Sequence, residues 1–180
     1  MEIPYEKTMV EIFRWRVNKS GNNVAHKFEE KETTFNELDS FSNKVAQGLL
    51  EEGCKPDSRV AYLGKNSDIF FEFMYGTIKS RTVTVGVNWR LAPPEVAFIL
   101  NDSSSEILFV GPEFFGLIEE IKDEIPSVKK IITVGGHHEE WEDYTQWRET
   151  NVDEDPMLES NGSDDVIQLY TSGTTGHPKG

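Results

Sequence analysis

The residues best suited to chemistry stand together at positions 170–180, as Tyr170-Thr171-Ser172-Gly173-Thr174-Thr175-Gly176-His177-Pro178-Lys179-Gly180. Glycines at 173, 176 and 180 tolerate positive φ and let backbone N–H groups approach an anion closely. The hydroxyls of Thr171, Ser172, Thr174 and Thr175 donate hydrogen bonds without adding charge. Lys179 supplies a positive charge, and Pro178 limits the freedom of the segment that presents it. This is the chemistry of phosphate binding. It is not the common G-x-x-x-x-G-K-[ST] loop: counted from Gly173, the second glycine falls on Pro178, and Lys179 is followed by Gly180.

Other reactive side chains give blander readings. His137-His138 beside Glu139-Glu140 has no second cluster at ligand spacing and reads as a solvated turn, so no metal site is expected. His26 reads as a strand residue, and Cys54, just past a helix end, as incidental. Phe70, Phe71, Phe73, Met74 and Tyr75 read as core rather than an acyl pocket. Trp89-Arg90 stays open between a strand-to-helix connection and a substrate contact.

The phosphate-type loop needs a strand to present it, and Val166-Ile167-Gln168-Leu169-Tyr170 reads as that strand. Loops at strand C-termini are where open α/β sheets bind ligands. Upstream, Met9, Ile12, Phe13 and Val17 predict a helix over 7–19. Val24–Phe28 reads as a strand followed by a turn at Glu30–Glu32. Thr34-Phe35-Asn36-Glu37 has capping-box spacing, and Leu38, Phe41, Val45 and Leu49 form one apolar stripe, with Gly53 at the C′ position. Strands are expected at 59–64, 82–87, 107–110 and 130–134. Helices are expected from a Ser67 cap to Lys79, from Pro93 to Asn101, from Phe114 to Glu124, and around Trp141, Tyr144, Gln146 and Trp147. Residues 151–164 read as a solvated acidic connection. The alternation predicts an α/β fold with a mostly parallel sheet covered by helices.

Composition narrows the partners. Of the 180 residues, those from 1 to 90 carry 13 basic and 13 acidic side chains, and those from 91 to 180 carry 5 and 19. From Glu139 to Asp165, 11 acids face one base, Arg148. Such a chain lacks the basic footprint that nucleic acid requires, and an anionic membrane surface is disfavoured in the same way. The 37% hydrophobic content suffices for a real core. Cys54 is the single cysteine, which fits a reducing compartment. The start shows no signal peptide. The longest near-apolar run, Ile69–Gly76, is broken by Glu72 and is too short for a transmembrane segment. A cytoplasmic chain is expected.

Tyr170–Gly180 resembles the phosphate-loop motif Y-T-S-G-T-T-G-x-P-K-G of the adenylate-forming superfamily: acyl-CoA synthetases, peptide-synthetase adenylation domains and luciferases. Ten matched residues at roughly 7% abundance each arise by chance on the order of 10⁻¹² per position. Asn88-Trp89-Arg90-Leu91 with Glu95 and Ile99-Leu100 is similar to a stretch of fatty-acyl and related CoA ligases. Thr34–Leu38, Asp57–Ala61 and Asp164-Asp165 fit earlier landmarks, while the match is loose over 111–162. Arg81 stands where the family usually has Gly, and Gly86 where it usually has Pro.

The resemblance implies an incomplete, N-terminal part of the large adenylate-forming domain, over residues 1–180. The family converts a carboxylic acid and Mg²⁺-ATP to an acyl-adenylate and pyrophosphate, then passes the acyl group to a thiol, usually coenzyme A. By this likeness Thr171, Ser172, Gly173, Thr174, Thr175, Gly176 and Lys179 contact the β- and γ-phosphates. No catalytic residue and no metal ligand is assigned. The family's Tyr-Gly-x-Thr-Glu segment, ribose-binding Asp, hinge and catalytic Lys have no counterpart, so the chain is expected to be an N-terminal fragment that is inert alone. A fatty acid is the favoured substrate. An aryl-CoA ligase, an amino-acid adenylation enzyme, or a non-catalytic module binding nucleotide or a partner are the alternatives. The acids of 139–165 are expected to face solvent, away from Thr171–Lys179.

Overall fold

The computed structural model describes residues 7–171 and 179–180. Helix α1 (Met9–Ser20) leads to a hairpin of β1 (Val24–Phe28) and β2 (Lys31–Thr34), then α2 (Phe35–Glu51), β3 (Arg59–Leu63), α3 (Asp68–Lys79), β4 (Val83–Gly86), α4 (Pro93–Asp102) and β5 (Ile107–Val110). A 3-10 turn precedes α5 (Phe115–Ile121); β6 (Lys130–Thr133), β7 (Glu142–Asp143), α6 (Tyr144–Thr150) and β8 (Ile167–Leu169) follow. Six strands form one sheet in the order β7-β6-β5-β3-β4-β8. Every pairing within it is parallel, as the strand–helix alternation predicts.

Alternate side chains of each strand feed two cores. Ala61, Leu63, Val85, Leu108 and Val110 face α4 and α5, meeting Val96, Ile99, Leu100, Ile118 and Ile121. Val60, Tyr62, Ile107, Phe109 and Ile132 face α2, α3 and α6, meeting Val45, Leu49, Phe73, Tyr144 and Trp147. The helices begin where their sequences dictate. Thr34 and Glu37 form the expected capping box, with Glu37 Oε2 accepting the Thr34 N–H at 2.8 Å, and Thr8 and Glu11 form a second one on α1. Gly53 takes φ 87° after α2. Gly76 lets α2 and α3 close up, since a Cβ there would stand 2.3 Å from Val45 Cγ1.

Four expectations need correction. The turn placed at Glu30–Glu32 is tighter: Glu29 takes φ 53°, and Lys31–Thr34 is a strand paired with β1. Ser67 precedes α3 but its hydroxyl lies 3.3 Å from Tyr62 Oη and caps no helix N–H. The helix around Trp141 begins only at Tyr144, after the two-residue strand β7, with Asp143 as its cap. Of the Phe70–Tyr75 cluster, Phe73 is fully buried, while Phe71 is 40% exposed and stacks on His26.

Two charges of α3 are buried. Glu72 accepts from Tyr144 Oη at 2.7 Å and Arg148 Nη1 at 2.5 Å. Burial and the Glu72 carboxylate both push the Tyr144 phenol far up. Lys79 Nζ donates to Asp39 Oδ1 at 2.7 Å and Asn43 Oδ1 at 2.5 Å. Its burial pulls the amine below the ordinary lysine range despite Asp39. Removing one partner of a buried pair strands the other, at a cost of roughly 3–5 kcal/mol. Glu72→Ala is therefore expected to lower stability by about that amount in urea unfolding, and Glu72→Gln by distinctly less because Gln still offers an acceptor to Tyr144.

Candidate functional site

Among the described residues, β8 is joined to the sheet through β4, with Thr84 opposite Ile167, Val85 opposite Gln168 and Gly86 opposite Leu169. Val166, Gln168 and Tyr170 turn inward; Ile167 and Leu169, 41% and 61% exposed, turn outward. Tyr170 packs beside the α4–α5 core. Its hydroxyl donates to Asp102 Oδ2 at 2.6 Å and accepts from Gln168 Nε2 at 3.0 Å. Burial and the Asp102 carboxylate hold this phenol well above the usual tyrosine range.

Past Tyr170 the chain forms a closed base. The Thr171 N–H donates to Lys179 O at 2.9 Å and the Lys179 N–H donates to Thr171 O at 3.0 Å, an antiparallel pair. Ser172, Gly173, Thr174, Thr175 and Gly176 lie between them and outside the described residues. The structure therefore brings Thr171 and Lys179 together by their backbones. Gly180 has a use that spacing alone does not show: a Cβ there would stand 2.6 Å from the Tyr170 ring, so the missing side chain lets the chain lie on that ring.

This base leaves the C-terminal end of β8. The parallel strand β4 runs out at the same edge into Asn88-Trp89-Arg90. The Arg90 guanidinium stands 4.5 Å over the Trp89 ring, while the Arg90 backbone N–H donates to Asn88 Oδ1 at 3.0 Å. Trp89 leans on Phe114 from the connection after β5, ring centres 6.5 Å apart. Arg90 is exposed and has no carboxylate partner among the described residues. A connection and an available cation are thus combined in one segment.

A sequence profile of the AMP-binding enzyme family matches residues 13–180. The chain belongs to that family. Over 178 residues it is 38% identical to the fatty acid–[acyl-carrier-protein] ligase ScoC of Streptomyces coeruleorubidus, covering 98% of this chain and 33% of ScoC. Over 147 residues it is 36% identical to the long-chain-fatty-acid–CoA ligase FadD13 of Mycobacterium tuberculosis, covering 82% and 28%. The anthranilate CoA ligase AuaEII, solved with anthranoyl-AMP, superposes with a TM-score of 0.87 at 29% identity, covering 99% of this chain and 35% of that one. The inhibitor-bound N-terminal domain of Mycobacterium tuberculosis FACL13 gives 0.87 at 31% identity, covering 96% and 43%. The chain spans about a third of the length of the curated relatives it matches.

Within this AMP-binding chain, the acidic connection at 151–164 lies on the surface as expected, with Asp153, Glu154 and Glu159 exposed, but it does not run free. It is a strap tied across the helices. Asp153 accepts from Ser40 and Asn43, Glu154 O from Gln47, and Asp155 from Arg14 Nη2 at 2.6 Å; Ser160 Oγ lies 2.7 Å from Thr8 Oγ1. Asp164 accepts from Arg81 Nε at 2.9 Å and Nη2 at 2.8 Å. Among the described residues, these partners belong to α1, α2 and the α3 terminus rather than to Thr171 or Lys179. Sequence reasoning missed Lys79, Arg14 and Asp155; the one signal available was an acid run with bases elsewhere to meet it. His138 is also no solvated turn. It stacks on Trp141 at 3.6 Å, accepts the Glu140 N–H at Nδ1, and lies 3.3 Å from Glu119 through Nε2. His26 sits in β1 and its ring nitrogens bond no described residue, consistent with a strand residue rather than a base. No group of three or more metal-ligating side chains occurs among the described residues, and no helix there is long and apolar enough to cross a membrane.

The strap has a pH signature. Burial raises the Asp155 carboxyl, but Arg14 and the Met157 N–H outweigh it and the net shift is downward. Arg81 and the Asn161 N–H lower Asp164. The Thr8 N–H and Lys7 lower Glu11 to about 2. Each group has a lower pKa folded than unfolded, so the unfolded chain binds more protons as pH falls, and stability drops. Thermal unfolding followed by circular dichroism is expected to show a steady melting point from pH 7 to about 5 and a fall between roughly pH 4.5 and 2. Asp155→Asn is expected to flatten that fall.

Proposed function

We propose that this chain supplies the ATP phosphate-binding loop of an AMP-forming ligase that activates a carboxylic acid, most naturally a fatty acid, and passes it to the thiol of coenzyme A. Residues 1–180 are read as the N-terminal part of its AMP-binding domain. The observation that carries this reading is the mutual Thr171–Lys179 backbone pair closing the Gly/Ser/Thr-rich run at the end of a parallel strand. ScoC, by name a ligase for an acyl carrier protein, supports a second acceptor, a carrier-protein thiol.

In this reading Thr171, Ser172, Gly173, Thr174, Thr175, Gly176 and Lys179 hold the β- and γ-phosphates. As the carboxylate attacks the α-phosphorus, charge accumulates on the departing pyrophosphate. Preset N–H and hydroxyl donors stabilise it without reorganising, and Lys179 adds a full charge. Mg²⁺, when bound with ATP, supplies further neutralisation of the phosphates. Arg90, stacked on Trp89 at the same sheet edge, is available to a second anionic part of a substrate. A cytoplasmic setting agrees with Cys54 being the single cysteine of these 180 residues.

Binding of Mg-ATP measured by calorimetry tests the loop. Lys179→Ala is expected to weaken binding about 10- to 100-fold, the worth of a charge-assisted hydrogen bond, with the fold unchanged by circular dichroism. Equal affinity in the variant would overturn the assignment. The 180-residue chain alone is expected to give no acid-dependent ATP–pyrophosphate exchange, because two thirds of the length of its relatives has no counterpart in it; robust exchange would contradict this.

A further inference from the structure

We infer that Arg81 and Asp164 form a latch that sets the register of β8 on β4 and so positions the base of the phosphate loop. Arg81 lies two residues before β4 and Asp164 three residues before β8. The two strands are parallel neighbours. The bidentate pair, Nε to Oδ2 at 2.9 Å and Nη2 to Oδ1 at 2.8 Å, is thus the first rung of that ladder. The next rung is the Thr84 N–H to Val166 O bond at 3.1 Å.

Both ends of the latch are fixed. Arg81 takes φ 58°, a conformation that costs a non-glycine residue free energy unless its surroundings hold it. Its backbone is held there: Arg81 O accepts the Asp57 N–H at 2.9 Å and its own N–H donates to Ile78 O at 3.2 Å. Asp164 is held by a local turn in which its Oδ2 also accepts the Asn161 N–H at 3.0 Å and its N–H donates to Asn161 O at 2.9 Å. A planar guanidinium fork on a carboxylate has one good geometry, so it fixes position as well as adding attraction.

β8 needs such a device. It is three residues long, and two of the three are exposed. Its pattern is weakly specifying: Ile167 and Leu169 are largely exposed, while Val166 and Tyr170 point the other way, so apolar side chains stand on both faces. Register is poorly fixed by pattern in such strands. A slip of two residues would carry Thr171 about 6.6 Å along the sheet edge, at about 3.3 Å per residue, taking the Thr171–Lys179 base away from the loops after β3, β4 and β5. Arg81 and Asp164 touch no part of that base, so they act as positioning residues.

This inference rests on the phosphate-loop reading only for its functional consequence. The test uses the 180-residue chain, with amide hydrogen exchange at Thr171 and Lys179 set against core amides of Ala61 and Leu108, and Mg-ATP affinity as a second arm. Asp164→Asn and Arg81→Gly are expected to speed exchange at Thr171 and Lys179 about tenfold, with the core amides unchanged. Arg81→Gly also removes the positive-φ cost, so its melting point should stay near wild type while the loop base loosens. Wild-type exchange at Thr171 and Lys179 in both single variants would overturn the latch, and so would equal loosening of core and base. Failure of the wild-type chain to bind Mg-ATP would overturn the phosphate reading instead, leaving the latch to be decided by the exchange arm. If wild type binds, both single variants should lose about tenfold in affinity; unchanged affinity beside a loosened base would remove the latch's functional role.

Discussion

Helix α3 carries two buried charges, Glu72 and Lys79, seven residues apart and so two turns along one side of the helix. A charge removed from water must find a fixed partner or forfeit several kcal/mol. That constraint organises the face of the sheet on which α3 lies. Glu72 draws in Tyr144 and Arg148 of α6, and Arg148 in turn lies over Phe41 of α2 at 4.1 Å. Lys79 draws in Asp39 and Asn43 of α2 and comes within 3.9 Å of Asp155 in the strap. Apolar packing holds these helices against the strands, but would tolerate sliding. The two charges say where along α3 each neighbour must stop.

The strap follows from this arrangement and leads to the site. It must travel from α6, at one side of the sheet, to β8 at the far edge beyond β4. It does so over α2, α1 and the end of α3, with a charged or hydrogen-bonded attachment to each. An edge strand with few buried side chains gets its placement from what precedes it. The loop base at Thr171 and Lys179 is therefore positioned by ion pairs laid down along the strap as well as by the sheet. A phosphate site depends on preset donors, and under the proposed reading that presetting would start well upstream of the residues assigned to phosphate.

The sequence exposed the elements whose signal is local. Capping at Thr34 and Glu37, the stripe Leu38–Leu49 and the β-branched run before Gly86 each contain their own instructions. β2 escaped because Lys31-Glu32-Thr33-Thr34 is polar and buries only Thr33, so no periodicity marks it. β7 is two charged residues, which have no strand signature at all. In the site, the Gly/Ser/Thr/Lys run was legible as composition and order, and family membership agrees with it. What was not legible is contact between distant residues: Gly180 on Tyr170, Arg81 on Asp164, His138 on Trp141. Arg81 did stand out as a side chain where glycine is usual, and its φ of 58° gives the reason that glycine is at home there.

The charge asymmetry of the sequence resolves in the same contacts. The first ninety residues balance to zero on paper, yet several of their bases are not spent on their own acids. Lys44 pairs with Glu149, Arg14 with Asp155 and Arg81 with Asp164, each a base of the first half meeting an acid of the second. Part of the surplus of acid downstream thus meets cations presented by α1, α2 and the α3 terminus. This also bears on an anionic ligand. Paired carboxylates project a weaker field than free ones. The proposed ATP loop is compatible with a net charge of −14 in so far as Asp153, Asp155 and Asp164 are engaged by α2, Arg14 and Arg81.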